Sequence, residues 1–283
     1  MTQPLETPAT VDLEAYRRDG LVVAPRRVPA AQLVRMRAAL ERLLARSAGI
    51  APESLICPHI ADGARHPPHD AAEWLEFATA PWLLDLVGQV LGPDVILWGS
   101  QVFCKPAFTG REVPWHQDGE YWPIRPLATC SAWIALDNVD ADNGCMRYIP
   151  GSHAAGRLVA HREAARPDRV LAMEAAAECF DAATARDDAL AAGQLSLHHV
   201  FLIHGSGPNR SPRRRAGFVV RYMPATSRFE RHPGERQSQA GVSFSLARRP
   251  IWLVRGRDRA GNDFLTGQGE DFGLAPRVSD EEG

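Results

Sequence analysis

The chain has 283 residues, 45% of them hydrophobic, so it is long enough to bury a sizeable core as one large domain or two small ones. Its formal net charge of -2 excludes the overall basic field that would draw a protein to nucleic acid or to an anionic membrane. The sequence contains no run of about 18 apolar residues, so no membrane span is predicted. The N-terminal MTQPLETPAT lacks the pattern of a secretory signal.

The N-terminal third is predicted to be mostly helical. The stretch DLEAYRRDG predicts a short amphipathic helix that ends at Gly20, and LVVAP predicts a brief strand after it. A longer helix is expected over 29–49, where leucines and one methionine recur at three-to-four spacing. Residues 50–70 are rich in proline and histidine and predict an irregular loop. Residues 71–92 predict a second helical stretch, interrupted by a proline.

After residue 93 the pattern changes to short runs of alternating polarity bounded by turn residues, which predict strands. The clearest such runs are DVILWGSQVFCKP, ATCSAWIALDNV, GCMRYIPGSH, GRLVAH, GQLSLHHVFLIHG and RAGFVVRYMPA. The Ala/Asp/Glu-rich stretch 162–190 predicts a helical or loose insertion. Together these features predict a mainly β fold, a β-sandwich or jelly roll covered by the N-terminal helices. We expect a single domain over 1–283, with a helical part at about 1–93, a core at 94–260 and a C-terminal tail.

The cysteines favour a reducing compartment. They are odd in number and widely spaced, without CxxC pairs, at Cys57, Cys104, Cys130, Cys145 and Cys179. This pattern is typical of reduced thiols and argues against a disulfide framework or a zinc site. We therefore expect a cytoplasmic protein.

A histidine and an aspartate stand two residues apart in PWHQDGEYW. In a strand, side chains at i and i+2 point to the same face, so His116 and Asp118 can meet one metal ion. They would supply two of the three ligands of a 2-His-1-carboxylate site, which suits non-heme Fe(II) and oxygen chemistry. The pair alone is weak evidence, because a chain with ten histidines contains such a pair readily by chance.

A candidate third ligand lies downstream, in HHVFLIHGSGPNR. His204 ends an apolar run that is expected to be a strand, and the small residues after it leave room for a ligand. Arg215 stands eleven residues later, at the start of the expected returning strand. If the two strands are neighbours, Arg215 extends toward the metal, where a guanidinium can bind the distal carboxylate of a dicarboxylate in a bidentate pair.

Four blocks of the sequence carry a specific resemblance: WHQDGEYWPIRP, ATCSAWIALDN, NGCMRYIPGSH and LIHGSGPNRSPRRRAG. In the order and spacing of these blocks, the chain resembles the phytanoyl-CoA dioxygenase family, and the resemblance extends from about residue 12 to about residue 260. The resemblance implies a double-stranded β-helix (jelly-roll) core and an enzyme that uses Fe(II), 2-oxoglutarate as cosubstrate and O2. It also implies site residues: iron ligands at His116, Asp118 and His204, an arginine for the C5 carboxylate of 2-oxoglutarate at Arg215, and cosubstrate-pocket residues at Ser206 and Trp133.

The reaction implied by the resemblance is hydroxylation of a small molecule, with oxidative decarboxylation of 2-oxoglutarate to succinate and CO2. Halogenating relatives of this enzyme class carry Gly or Ala in place of the carboxylate ligand. Asp118 therefore favours hydroxylation, or a related desaturation or epoxidation. A polar metabolite, a phosphonate and a natural-product intermediate are all compatible substrates.

Four further residues are candidates for contact with the substrate. Tyr121 and Trp122 are close in sequence to the metal pair, and Gln101 and Lys105 lie on a strand that the fold would place near the pocket. For Tyr121 and Trp122, packing at the end of a strand is the alternative.

Other polar residues near the motifs have simpler explanations. His198 shares the strand face of His204, and we expect it to pack or to form a structural hydrogen bond. The arginines beside Arg215, which are Arg213, Arg214 and Arg221, are expected to form a mostly solvated basic edge.

A non-redox jelly-roll metal protein, such as a cupin-like isomerase or a small-ligand binding module, is the alternative function. It would use the same His/Asp/His set but would not need Arg215. In either case we expect a small-molecule partner and neither nucleic acid nor membrane. No exposed heptad or long apolar edge indicates an oligomeric state.

Overall fold

The computed structural model describes residues 9–61, 66–164, 166–231, 237–239, 242–244 and 246–265. The C-terminal tail beyond residue 265 therefore lies outside the described residues. The helices are α1 Leu13–Asp19, α2 Ala30–Arg46, α3 Pro68–Ala78 and α4 Pro81–Leu91. The strands are β1 Leu21–Val23, β2 Leu55–Ile56, β3 Val95–Lys105, β4 Val113–His116, β5 Ile124–Arg125, β6 Cys130–Ala135, β7 Met146–Tyr148, β8 His161–Glu163, β9 Met173–Ala175, β10 Arg186–Asp188, β11 Leu195–His199, β12 His204–Ser206, β13 Arg215–Pro224, β14 Arg228–Phe229, β15 Gln237–Gln239, β16 Val242–Phe244 and β17 Trp252–Arg255.

Two antiparallel sheets form the core. The larger sheet has seven strands in the order β1-β11-β6-β13-β3-β17, with β2 also paired to β3, and the smaller sheet has the order β10-β7-β12-β4. Side chains from both sheets line one pocket between them. The predicted mainly β, jelly-roll architecture is thus confirmed, with the N-terminal helices added to one face.

Strand β13 separates the pocket from the helical layer. Its even-numbered residues Phe218, Val220 and Tyr222 are buried in one cluster with side chains of α2, α3 and α4. On the opposite face, Arg215, Val219 and Arg221 line the pocket, because successive side chains of a strand point to opposite faces. The Tyr222 hydroxyl also donates to the carbonyl of Ala78, at 2.6 Å, which ties α3 to the sheet.

The apolar run before His204 differs from the prediction. We expected one strand up to His204, but β11 ends at His199, and His204 begins β12 in the other sheet. Residues 200–203 cross between the sheets, with Val200 and Leu202 fully buried in the crossing. A buried crossing is as apolar as a buried strand, so hydrophobicity alone does not separate them. As a result, Arg215 faces the pocket from the opposite sheet and not from a neighbouring strand.

The stretch 162–190 is not helical in its described part. It contains β9, β10 and the end of β8, with short 3-10 turns at Ala177–Cys179 and Ala182–Thr184. The alanines suggested a helix, but the stretch pairs locally as strands and β10 joins the smaller sheet. None of the helices in the described ranges is long and apolar enough to cross a membrane.

Phe218→Ala is expected to lower the free energy of unfolding by about 3–5 kcal/mol, because it leaves a cavity between sheet and helices. Phe218 is fully buried, and its ring centroid lies 4.7 Å from that of Trp74. Denaturant unfolding of both proteins measures the difference. Val34→Ala on α2 is the control, since Val34 is 67% exposed and should change little. Equal losses in the two variants would contradict this packing.

Candidate metal centre

Two histidines lie side by side at one end of the pocket. Strands β4 and β12 pair so that His204 is directly opposite His116, and the ring centroids are 4.2 Å apart. Asp118 follows after Gln117, whose extended backbone (φ -111°, ψ 130°) keeps the carboxylate on the same side as His116. All three side chains are buried, and one ligand atom from each lies within 4.8 Å of the others. The sequence motif is therefore a compact cluster in space.

Both histidines present the same nitrogen to the cluster. Nδ1 of His116 lies 2.8 Å from the carbonyl oxygen of Pro114, and Nδ1 of His204 lies 2.9 Å from that of Leu202. A proton on each Nδ1 satisfies these carbonyls and leaves Nε2 as a lone pair for a metal. Burial and the neighbouring His116 lower the pKa of His204 to about 3. His204 is thus neutral at physiological pH, as a ligand must be.

The carboxylate of Asp118 is supported from the larger sheet. Ser131 Oγ donates to Asp118 Oδ2 at 3.3 Å, and His198 Nε2 lies 3.4 Å from the same oxygen. Burial disfavours the charged form, but the adjacent imidazoles of His116 and His198 keep the pKa of Asp118 well below its usual range. Asp118 is therefore ionised and oriented toward the cluster.

A buried arginine faces the cluster from the other sheet. Arg215 donates from Nε to the carbonyl of Gly144 at 3.0 Å, and its guanidinium carbon lies 5.2 Å from the ring centroid of Trp133. Gly217 makes this packing possible, because a Cβ there would lie 2.2 Å from the Trp133 ring. Burial lowers the pKa of Arg215 to about 10, so it stays charged at neutral pH. Within the described part of the chain, no carboxylate lies within ion-pair distance of it.

Ser206 shares this pocket with Arg215. The buried Nζ of Lys105 lies 2.6 Å from Ser206 Oγ and 3.2 Å from the Ser206 carbonyl, and it also contacts the Gly207 carbonyl. Three acceptors match the three donors of an ammonium, although burial and Arg215 lower the pKa of Lys105 well below its usual value. With Lys105 donating to Oγ, the hydroxyl hydrogen of Ser206 is available to a ligand in the pocket.

Comparison with known proteins identifies the family of the chain. The model of the family "Phytanoyl-CoA dioxygenase (PhyH)" matches residues 16–217. The chain belongs to the phytanoyl-CoA dioxygenase family. Enzymes of this family use Fe(II), 2-oxoglutarate and O2. The buried cluster fits such an ion, because two imidazoles and one carboxylate are the ligand set of non-heme Fe(II) oxygenases.

Three relatives illustrate the range of the family. The peroxisomal phytanoyl-CoA dioxygenase of Bos taurus is 27% identical over 201 residues, covering 65% of this chain and 59% of the relative. A probable alpha-ketoglutarate-dependent hypophosphite dioxygenase of Stutzerimonas stutzeri is 32% identical over 145 residues, covering 50% of each protein. The non-heme monooxygenase ThoJ, solved in its apo form, is 28% identical with a TM-score of 0.65, covering 87% of this chain and 84% of that one. The chain thus spans between half and three fifths of the two curated relatives.

The four substrate-contact candidates lie outside the pocket of this family site. Gln101 donates to the Glu53 carbonyl at 3.2 Å, and Lys105 is the buried partner of Ser206. Tyr121 and Trp122 line a separate cavity of about 430 Å³ that begins at Gly119, directly after Asp118. The two aromatic residues therefore line that cavity, whereas Gln101 and Lys105 contact residues of the pocket wall, Arg221 and Ser206 respectively.

The expected solvated edge is wrong for Arg221. Arg213 and Arg214 do form ion pairs near the surface, with Asp140 and Asp137 respectively. Arg221, however, lines the metal pocket. Arg221 is six residues after Arg215 on β13. Because side chains alternate along a strand, this even spacing could have predicted that both arginines lie on the same face. Ser131 was also missed, and only its pairing with β13 in space reveals its position.

Asp188→Asn is expected to raise the free energy of unfolding at pH 8 by about 1–3 kcal/mol and to change it little at pH 4. Burial raises the pKa of Asp188 to about 6, despite the Ser196 hydroxyl donating to it at 2.6 Å. The folded state therefore binds this proton more tightly than the unfolded state, and stability falls as pH rises from about 4 to about 6. Asparagine removes that loss.

Denaturant unfolding at both pH values measures this effect. Asp187→Asn is the matched control, because Asp187 is the neighbour on the same strand but is exposed and paired with Arg147. A stability change in Asp188→Asn that is the same at both pH values would contradict the assignment.

Proposed function

We propose that the chain is a non-heme Fe(II)/2-oxoglutarate-dependent dioxygenase that hydroxylates a small molecule, converting 2-oxoglutarate to succinate and CO2. One observation carries the proposal: the buried cluster of His116, Asp118 and His204 shares a pocket with Arg215, a buried cation without a carboxylate partner among the described residues. A metal cluster alone would suit many proteins. The added cation is suited to a dicarboxylate cosubstrate.

In this proposal the three clustered side chains hold Fe(II), which, when bound, supplies the activation of O2. The Nδ1 bonds of His116 and His204 orient their rings, so the free Nε2 atoms converge on the ion. Ser131 and His198 hold the Asp118 carboxylate toward it. The chain's contribution here is a rigid, pre-oriented ligand set.

The cosubstrate is held at its far end by Arg215. The guanidinium binds the C5 carboxylate of 2-oxoglutarate in charge-assisted hydrogen bonds, and the Ser206 hydroxyl donates to the same group. Trp133 forms the wall behind the guanidinium and keeps water from it. Because Nε is already bonded to Gly144, the terminal nitrogens of Arg215 are the ones presented to the ligand.

A small-molecule substrate is supported by the cavity beyond Asp118, and by relatives whose names include a hypophosphite dioxygenase. We propose a polar metabolite, a phosphonate or a natural-product intermediate as the class. The carboxylate of Asp118 occupies the third ligand position, which favours hydroxylation over halogenation. The non-redox metal protein remains the alternative, and Arg215 has no role in it.

Anaerobic titration of the iron-loaded protein with 2-oxoglutarate is expected to produce the visible charge-transfer band of a chelated 2-oxo acid. The band should be lost in Asp118→Ala and His204→Ala, because each removes one ligand of the ion. Circular dichroism of both variants controls for folding. A wild-type protein that is folded and iron-loaded yet shows no band would favour the non-redox metal protein.

Arg215→Ala is expected to weaken 2-oxoglutarate binding by about tenfold to a hundredfold, since one carboxylate loses its charge-assisted hydrogen bonds. Arg215→Lys should recover only part of the affinity, because a lysine keeps the charge but lacks the paired N–H donors of the planar guanidinium. The midpoint of the same band titration measures both. Arg213→Gln serves as the control, since Arg213 pairs with Asp140 on the exposed surface. Unchanged affinity in Arg215→Ala would remove Arg215 from the cosubstrate site.

A further inference from the structure

Arg221 is a second cation in the wall of the metal pocket. It sits on β13 between Ser131 of β6 and Gly99 of β3, which are its cross-strand neighbours. Its guanidinium carbon lies 5.4 Å from the ring centroid of Trp122, and Trp122 lines the adjoining 430 Å³ cavity. Arg221 therefore stands at the border between the metal cluster and the larger cavity.

The hydrogen bonds of Arg221 are few and weak for a guanidinium. Both terminal nitrogens donate to a single acceptor, Gln101 Oε1, each at 3.3 Å. Its Nε is buried without a hydrogen-bond partner. In the described ranges, no carboxylate lies within ion-pair distance of it. A cation with five donors in a fixed fork is thus left with one neutral acceptor.

The surroundings of Arg221 add positive charge. The Arg249 guanidinium lies beside Gly99 of β3, with Nη1 3.5 Å from the place where a Cβ on Gly99 would stand. Burial lowers the pKa of Arg221, the charge of Asp118 opposes this effect, and Arg249 adds to it. Asp118 already accepts from Ser131 and contacts two histidines, and it would also serve the metal. The nearby carboxylate is therefore engaged elsewhere.

We propose that Arg221 binds an oxyanion group of the primary substrate, a carboxylate or a phosphonate, and thereby orients the substrate beside the metal cluster. The Trp122 ring supports the guanidinium from the side of the larger cavity, and Gln101 holds its terminal nitrogens in place. This inference rests on the proposed function, and it narrows the substrate to an anionic small molecule.

Arg221 and Arg215 serve different ligands. Six residues of strand separate them, which places their Cα atoms about 20 Å apart. Arg215 lies between Trp133 and Gly144, whereas Arg221 lies between Gln101 and Trp122. One end of the pocket thus receives the cosubstrate carboxylate, and the other receives the substrate anion.

The test measures binding without turnover. The full chain is loaded with Ni(II) and 2-oxoglutarate, and methylphosphonate and acetate are titrated separately by calorimetry. Wild type is expected to bind at least one probe saturably, and Arg221→Gln to raise its dissociation constant by about tenfold or more, as for loss of a charge-assisted hydrogen bond. Arg186→Gln is the matched control, because Arg186 is exposed on β10 and its charge lies outside both cavities.

Three results from wild type and Arg221→Gln would overturn the proposal. Wild type without saturable binding of either probe removes the anion site, and Arg221→Gln with wild-type affinity removes the residue from it. Loss of 2-oxoglutarate affinity in Arg221→Gln, with probe affinity retained, would reassign the arginine to the cosubstrate. If Arg221→Gln does not fold, Arg221→Lys replaces it: a several-fold weaker probe affinity supports the proposal, and an unchanged affinity overturns it.

Failure of the proposed function gives a different result. In that case iron-loaded wild type shows no 2-oxoglutarate band, whatever the outcome of the anion titration. If the iron-loaded wild type shows a normal 2-oxoglutarate band and Arg221→Gln binds the probes as wild type does, only the anion site is disproved.

Discussion

The antiparallel pairing of β4 with β12 is the constraint on which the pocket depends. It sets His204 opposite His116 and brings both rings to the same face of the smaller sheet. The carbonyls that fix the two rings, those of Pro114 and Leu202, each lie two residues before the histidine they bind. The same stretch of backbone therefore sets the register, the ring orientation and the nitrogen that faces the cluster. A slip of one residue would lose all three.

The wall of the pocket carries two positive charges. Arg215 and Arg221 enter from one strand of the larger sheet, and neither has an ion-paired carboxylate in the part of the chain that the structure describes. A buried cation without an ion pair lowers the stability of the fold, because its charge is desolvated without compensation. The well-packed sheet holds such a cation in place. Trp133 and Trp122 each stack on one guanidinium, which supplies part of the missing stabilisation. Ligand binding would supply the rest.

The helices and strands with a clear hydrophobic periodicity were predictable from the sequence. The helices, and the long strand β13, follow hydrophobic spacing and turn residues, and the metal-cluster residues follow motifs with a known chemistry. The supports of Asp118 were less accessible, because Ser131 and His198 reach it only through pairing between distant strands. The crossing at 200–203 was hidden for another reason: a strand and a buried connection share the same apolar composition. Only tertiary packing distinguishes them.

That crossing also sets a length constraint on the chain. Residues 200–203 carry the backbone from the end of β11, where His198 contacts Asp118 from the larger sheet, to His204 on the smaller one. The crossing is a compact turn, in which the Leu202 amide donates to the His199 carbonyl at 3.0 Å, so an insertion or deletion inside 200–203 would shift His204 out of register with His116. The length of this one connection therefore decides whether the two histidines meet.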